Sequence, residues 1–212
     1  MNLKPDRLFA RWLLACAAAE GVGIASAAAA SRLTNPNGSP DLWPVLGGAV
    51  AAAFIEGSAL GVLQGRVIRD YLPGVTVTRW WVPTVVVALV GWTLGSVPAA
   101  MSSGGGQAPA LWLVVLGAVG LGAGMGLVFG AAQRLAIMKV DGSASWIWAN
   151  CAGWAAAMPI IYVGASLPAA STPIPVVVLV GAVAGALAGL ALGLVTNGTL
   201  HRLARATSAS AG

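Results

Sequence analysis

Residues 181–193 read GAVAGALAGLALG, with glycine at 181, 185, 189 and 193. A four-residue spacing places all four on one face of a helix. In an apolar segment such a face lets a second helix approach closely, and in a bilayer close packing stands in for the missing hydrophobic drive. The frame occurs twice more. Ala118, Gly122, Gly126 and Gly130 stand 63 residues earlier, and Ala49, Ala53, Gly57 and Gly61 stand 69 residues before those. These two copies also end alike, in Gly57-xxx-Gly61-xx-Gln64 and Gly126-xxx-Gly130-xx-Gln133, whereas Thr196 fills the glutamine position of the third. One helix type used three times predicts an all-α, polytopic membrane protein.

Composition points the same way. The chain has 212 residues, of which 58% are apolar and only 8% charged, and its mean hydropathy is +0.86. Soluble domains carry about 25% charged residues. A hydrocarbon core of ~30 Å needs ~20 helical residues. Six apolar blocks meet that length: Trp12–Ser31, Trp43–Gln64, Trp80–Pro98, Leu111–Ala132, Trp146–Ser166 and Val176–Asn197. They predict a single six-helix transmembrane domain over residues 1–206 and a disordered tail over 207–212. Trp12, Trp43, Trp80 and Trp146 open four blocks and Trp112 lies just inside a fifth, which predicts an aromatic belt at the membrane interface. The first block also has the plan of a signal peptide: Lys4, Arg7 and Arg11, a short apolar run, then Ala28-Ala29-Ala30. Glu20 in the middle of that run argues against cleavage.

Charge orders the connections. Lys4, Arg7 and Arg11 precede the first helix; Arg66, Arg69 and Arg79 fall between the second and third; Arg134 and Lys139 between the fourth and fifth; Arg202 and Arg205 after the sixth. The other three connections, Leu33–Leu42, Ala99–Ala110 and Leu167–Ile174, share one basic residue at their edge, Arg32. Ten of eleven Lys/Arg on one side predict that this side is cytoplasmic, with both termini inside a bacterial cytoplasmic membrane. The net charge of +5 is therefore a topology signal and not a sign of nucleic-acid binding. The expected partner is the lipid bilayer, with a homo-oligomer or a larger membrane complex left open.

The second, fourth and sixth helices carry the glycine frame and run in the same direction. The odd helices share a weaker pattern: Gly91-Trp92 parallels Gly153-Trp154, and both parallel Ala19-Glu20. The chain thus reads as three quasi-repeated helix pairs, one divided between its two ends. Parallel repeats place any pseudo-symmetry axis along the membrane normal. The expected arrangement is a compact bundle with the second, fourth and sixth helices close together through Gly57, Gly61, Gly122, Gly126, Gly130, Gly181, Gly185, Gly189 and Gly193. This pattern resembles a loosely defined group of bacterial multi-pass membrane proteins without assigned activity, whose repeat has a Gly-xxx-Gly-xx-Gln helix end, a basic loop, then Trp and a Gly-Trp pair. Gly57, Gly61, Gln64, Arg66, Arg69, Trp80 or Trp81 and Gly91-Trp92 form one copy here; Gly126, Gly130, Gln133, Arg134, Trp146 and Gly153-Trp154 form the other. The resemblance covers the second to fifth helices best. It departs at Glu20, where the group's tryptophan would stand. It implies a fold type and brings no catalytic residues.

Two charged residues lie deep in apolar blocks, Glu20 and Glu56. Intramembrane acids cost several kcal/mol and normally face the bundle interior, a partner or a pathway. Glu20 is nine residues from Arg11 and Glu56 ten from Arg66, so at ~1.5 Å per residue both lie near the midplane. Both break the repeat: Glu56 stands where Met125 and Ala188 stand, and Glu20 where Trp92 and Trp154 stand. The functional reading is a proton or cation site, because two nearby carboxylates cannot both ionise cheaply in a low dielectric. The structural readings are a neutral acid bonded to a carbonyl or to a hydroxyl such as Ser58, or an acid paired with a basic residue of another subunit. Gln64, Gln133 and Asn150 are expected to make interhelical hydrogen bonds or to line an inner vestibule. Pro159 interrupts the fifth helix.

Other chemistries lack residues. His201 is the only histidine and follows the last apolar block, which leaves intramembrane haem ligation unsupported. Cys16 and Cys151 form no metal-binding spacing, and no HExxH, P-loop or dinucleotide fingerprint occurs. The expectation is a non-enzymatic protein without metal or cofactor: a small proton- or cation-coupled transporter or permeation unit, or else a structural or accessory subunit of a larger membrane complex.

The topology is testable by cysteine labelling in a background lacking Cys16 and Cys151. An external impermeant reagent should reach Ser103→Cys and miss Ser208→Cys; the reverse contradicts the orientation, and reaction at both contradicts the six-helix count.

Overall fold

A computed structural model describes residues 5–34, 42–72, 74–101 and 110–209. It contains six helices: α1 (Pro5–Thr34), α2 (Leu42–Tyr71), α3 (Val77–Met101), α4 (Leu111–Ile137), α5 (Ser145–Ser166) and α6 (Ile174–Ala209). No strand occurs among the described residues. All six helices contain a stretch long and apolar enough to cross a membrane, and they pack as a compact bundle.

The helices overrun the predicted apolar blocks. Arg7, Arg11, Arg66 and Arg69 sit on the extended ends of α1 and α2, not in loops. The end of α6 is also longer than expected: residues 207–209 are helical, and 210–212 lie outside the described residues. The sequence LHRLARATSA over 200–209 is rich in alanine, leucine and arginine, which are good helix formers, and nothing in it breaks the backbone ladder. Of the predicted connections, residues 35–41 and 102–109 lie outside the described residues. The two short turns at the basic end each use a glycine in the left-handed region, Gly74 (φ +89°) and Gly142 (φ +77°). An L side chain would be strained at either position.

Packing follows chain order and closes into a ring. Consecutive helices touch, and α6 returns to pack against α1 along an extensive seam; the α3–α4 seam is the thinnest. Here the expectation about the glycine faces needs correction. Helices α2, α4 and α6 do not pack on one another through these faces and touch at most marginally. Each instead lays its glycine row on an odd-numbered helix. On α4, a Cβ at Gly122 or Gly126 would fall on the carbonyl of Trp154 or Asn150 of α5, and one at Gly130 would strike Ile147. On α6, Gly185 and Gly189 press on the carbonyls of Glu20 and Cys16 of α1, with Gly181 against Ile24 and Ala28 and Gly193 against Leu13. On α2, Gly57 meets Val85 and Ala88 of α3, and Gly61 meets Trp81. The reason is geometric: a small-residue row accepts one partner backbone, and short connections make antiparallel helices neighbours. The three closest pairs are therefore α2–α3, α4–α5 and α6–α1, the last joining the two ends of the chain.

Polar ties finish both ends. Arg11 donates to Asp70 at 2.6 Å, bridging α1 and α2 at the basic end. Both side chains are substantially solvent-exposed, so the pair contributes little to stability. Arg32, the exceptional basic residue at the opposite end, donates to the carbonyls of Ala169 (2.6 Å) and Ala170 (2.9 Å) in the α5–α6 connection.

Gly126→Ala and Gly189→Ala should each destabilise the bundle by about 1–3 kcal/mol through overpacking. Gly124 has open space around its Cβ position, so Gly124→Ala should be neutral. Thermal unfolding of the three variants in detergent micelles checks this; equal midpoints would contradict the seams.

Candidate functional site

Two polar layers cross the bundle. The layer nearer the basic end draws a side chain from every helix. Trp12 of α1 donates its indole N–H to Thr196 of α6 at 2.9 Å, Trp146 of α5 donates to Gln133 of α4 at 3.0 Å, and Trp80 of α3 donates to Gln64 of α2 at 3.3 Å. Each close helix pair is thus pinned by an indole on its odd member and a polar group three residues beyond the glycine row of its even member. The amide of Gln133 continues the network to Thr84 at 3.1 Å and to Gln64 at 3.4 Å, and that of Gln64 reaches the Cys16 sulfur at 3.4 Å. Trp146 lies edge-on to Trp12 (5.8 Å between ring centroids) and to Trp80 (5.6 Å). All of these side chains are buried, and Leu8, Ile68, Leu72, Ile137, Leu200 and Leu203 fill the same core cluster towards the basic end. A well-formed buried hydrogen bond contributes ~1 kcal/mol, and an orphaned partner costs more. The layer is a packed seal.

The second layer lies eight residues along each helix. Glu20, Glu56, Trp92, Met125, Trp154 and Ala188 stand eight positions from Trp12, Gln64, Thr84, Gln133, Trp146 and Thr196 respectively. At ~1.5 Å per residue the layers are ~12 Å apart. Glu20 is fully buried, and neither of its carboxyl oxygens has a hydrogen-bond partner among the described residues. Glu56 is 3% exposed and accepts a 2.7 Å bond from the Trp92 indole at Oε2. Its aliphatic stem rests on Gly23 of α1, three residues beyond Glu20. The Ser58 hydroxyl, expected as a partner for an acid, has none among the described residues. With no cationic side chain among the described residues bonded to either acid, the pair carries full negative charge only at high cost in this low dielectric. A proton or an external cation relieves that cost.

On the other side of the acid layer the packing opens. A cavity of about 430 Å³ runs from Glu56 towards the ends of the helices opposite the basic end. Glu56, Ala88, Trp92, Phe129 and Trp154 form its floor. Ile24, Ala52, Met125 and Met158 are among the residues of its walls, and Thr34, Val45, Ser96 and Ala165 stand at its mouth. Phe129 and Trp154 are stacked, 5.1 Å between centroids, which fixes one side of the floor. Glu20 does not line the cavity; it is enclosed beyond Glu56. The Trp–Gln–Thr layer thus fills the interior on one side of the acid layer, and the cavity, ending on a single carboxylate, lies on the other.

No protein-family model matches this chain, and comparison with curated proteins and with solved structures finds no match. The class the fold defines is a six-helix multi-pass membrane protein.

The structure gathers part of what the sequence singled out. Glu20 and Glu56 share one layer, and Gln64 and Gln133 share the other. Asn150 stays on its own helix, donating to the Trp146 carbonyl at 3.0 Å. Pro159 lies within α5, which continues to Ser166. The aromatic belt is corrected in part: Trp43 and Trp112 are exposed, but Trp12, Trp80 and Trp146 are core residues. Their indole N–H groups find partners only inside, which reverses the interfacial preference. Sequence reasoning missed Thr84, Thr196 and Trp92 as partners. The eight-residue interval recurring on all six helices was the available signal.

Proposed function

We propose that the protein is a small proton- or cation-coupled transporter or permeation unit of a bacterial cytoplasmic membrane, without enzymatic activity. Its site is Glu56 at the foot of the vestibule with Glu20 behind it. The observation that carries this reading is the asymmetry along the bundle axis: an apolar cavity ends on a buried carboxylate, and a hydrogen-bonded aromatic layer fills the interior beyond. A transporter needs such a half-closed state, because a path open at both ends would dissipate the gradient. Transport sites of repeat-built carriers lie near the midplane at repeat interfaces. The three α-helix pairs, with equivalent glycine contacts on α4–α5 and α6–α1, support reading this bundle as repeats about an axis along the membrane normal. The excess of basic residues supports assigning the sealed end to the cytoplasm, so that the vestibule faces outward with both termini inside.

The chemistry follows from the two acids. Glu56 is reachable and held in orientation by Trp92, so it is the residue that exchanges its proton or cation with the vestibule. Glu20 is unreachable and unbonded, so it is a positioning charge that penalises the empty, fully ionised site. Opening the inner end requires breaking the indole bonds to Gln64, Gln133 and Thr196 as the pairs move apart.

The accessory-subunit reading draws on α4. Gly117, Gly120 and Gly124 form an exposed small-residue stripe with nothing within 4 Å of their Cβ positions, and α4 is the least buried span. Another helix, in a homo-oligomer or a larger complex, would fit there.

Reconstituted protein should carry protons in response to an imposed gradient, read by a pH-sensitive dye trapped in proteoliposomes. Glu56→Gln and Glu20→Gln should retain thermal stability and lose that flux. Wild-type vesicles no leakier than empty ones, together with a larger assembly in native membranes, would make the accessory role the better account.

A further inference from the structure

The cavity specifies its occupant more closely than the transport reading does. Among its described lining residues Glu56 is the only charged side chain, and none of them is a lysine, arginine or histidine. An anion would therefore meet an uncompensated carboxylate, and a neutral solute would be compatible only with the protonated form, whereas a cation pairs with the ionised one. A bare inorganic cation fits poorly. Hard cations need a shell of several oxygen ligands, yet the described lining hydroxyls, Ser31, Thr34, Ser96 and Tyr162, belong to residues a helical turn or more towards the mouth from the acid layer. Among the described residues no cluster of three or more His, Cys, Asp or Glu side chains exists. Around the carboxylate the surface is instead aromatic and thioether: Trp92, Trp154, Phe129, Met125 and Met158, with Tyr162 higher on the wall. Aromatic faces attract cations that have shed little or no hydration shell, and organic cations are the best such guests. The volume of about 430 Å³ lies within the range of sites for small organic ligands.

We infer that the vestibule binds an amphiphilic organic monocation, with its charged centre against Glu56 and its apolar body against Trp92, Trp154 and Phe129. This rests on reading the vestibule as a substrate site and adds the chemical class of the substrate. Trp92 has two tasks: its N–H fixes the Glu56 carboxylate, and its ring lines the floor beside the bound charge. Arrival of the cation supplies the counter-charge that the acid layer lacks.

The test uses the full-length protein in detergent micelles, with tetraphenylphosphonium as probe and tetraphenylborate as an anion of matching shape. Equilibrium dialysis should show saturable binding of the phosphonium and none of the borate. Glu56→Gln should weaken phosphonium binding about tenfold or more, and Trp92→Leu should weaken it as well. Should those variants fold poorly, wild-type protein supplies the second reading: the phosphonium should slow modification of Glu56 by dicyclohexylcarbodiimide, mapped by mass spectrometry. Equal binding of both ions, unchanged affinity in folded Glu56→Gln, or no protection of Glu56 overturns the inference. Proton flux in vesicles without phosphonium binding overturns this inference and leaves the transport reading; phosphonium binding without flux does the opposite.

Discussion

The close approach of one helix backbone to a row of glycines governs this bundle. Where Gly126 meets the carbonyl of Asn150, or Gly189 that of Cys16, no Cβ intervenes, and two helices touch along their main chains. Such contact gives many short dispersion contacts in an environment that offers no hydrophobic gain for association. It also sets register. Once Gly193 lies against Leu13, Thr196 arrives within 2.9 Å of the Trp12 indole. The α4–α5 pair does the same with Gly130, Gln133 and Trp146. The polar seal is a consequence of glycine spacing: the hydrogen-bonding residue stands three positions past the last glycine in every copy. Pairing α6 with α1 closes the ring.

The same ring is packed unevenly along its axis. Towards the basic end, tryptophan, isoleucine and leucine fill the interior. Beyond the acid layer the facing positions include Ala27, Ala30, Gly48, Ala49, Gly91 and Gly95, which are too small to fill it. A cavity results with a carboxylate at its foot. Glu20 and Glu56 would be costly residues in a bundle whose only task was to fold, and their counterparts, Trp92 and Trp154 for Glu20 and Met125 and Ala188 for Glu56, show which side chains the frame holds without that cost. In the proposed transport reading, the unbonded acid behind Glu56 raises the cost of an empty site and so favours an incoming positive charge.

Much of the fold was legible in the residues, because both length and periodicity act locally. Six apolar blocks gave six helices, and the glycine frame marked the faces of close approach. What the frame did not reveal was the partner. A small-residue face states that some backbone comes near, not which one; ring closure and antiparallel neighbours decide that, and they are properties of the whole chain. The tryptophans misled for a related reason. An indole at a helix end satisfies its N–H equally well at a lipid headgroup or against a buried amide, and only the position of Gln64, Gln133 and Thr196 in space separates the two cases. The acids were conspicuous because each broke the repeat, whereas the vestibule was invisible: it is made of alanines and glycines, whose contribution is the volume they leave empty.

The central claim is that access to Glu56 is one-sided, and cysteine accessibility along the bundle axis tests it most directly. In sealed vesicles of both orientations, with Cys16 and Cys151 replaced, single cysteines would be placed at Ser31 and Ala49 in the vestibule and at Ala149 within the packed inner half. A membrane-impermeant thiol reagent should modify Ser31→Cys and Ala49→Cys only from the face opposite the basic end, and Ala149→Cys from neither face. Modification of Ala149→Cys from the basic face, or protection of Ala49→Cys from both, would contradict a vestibule that is open on one side and sealed on the other.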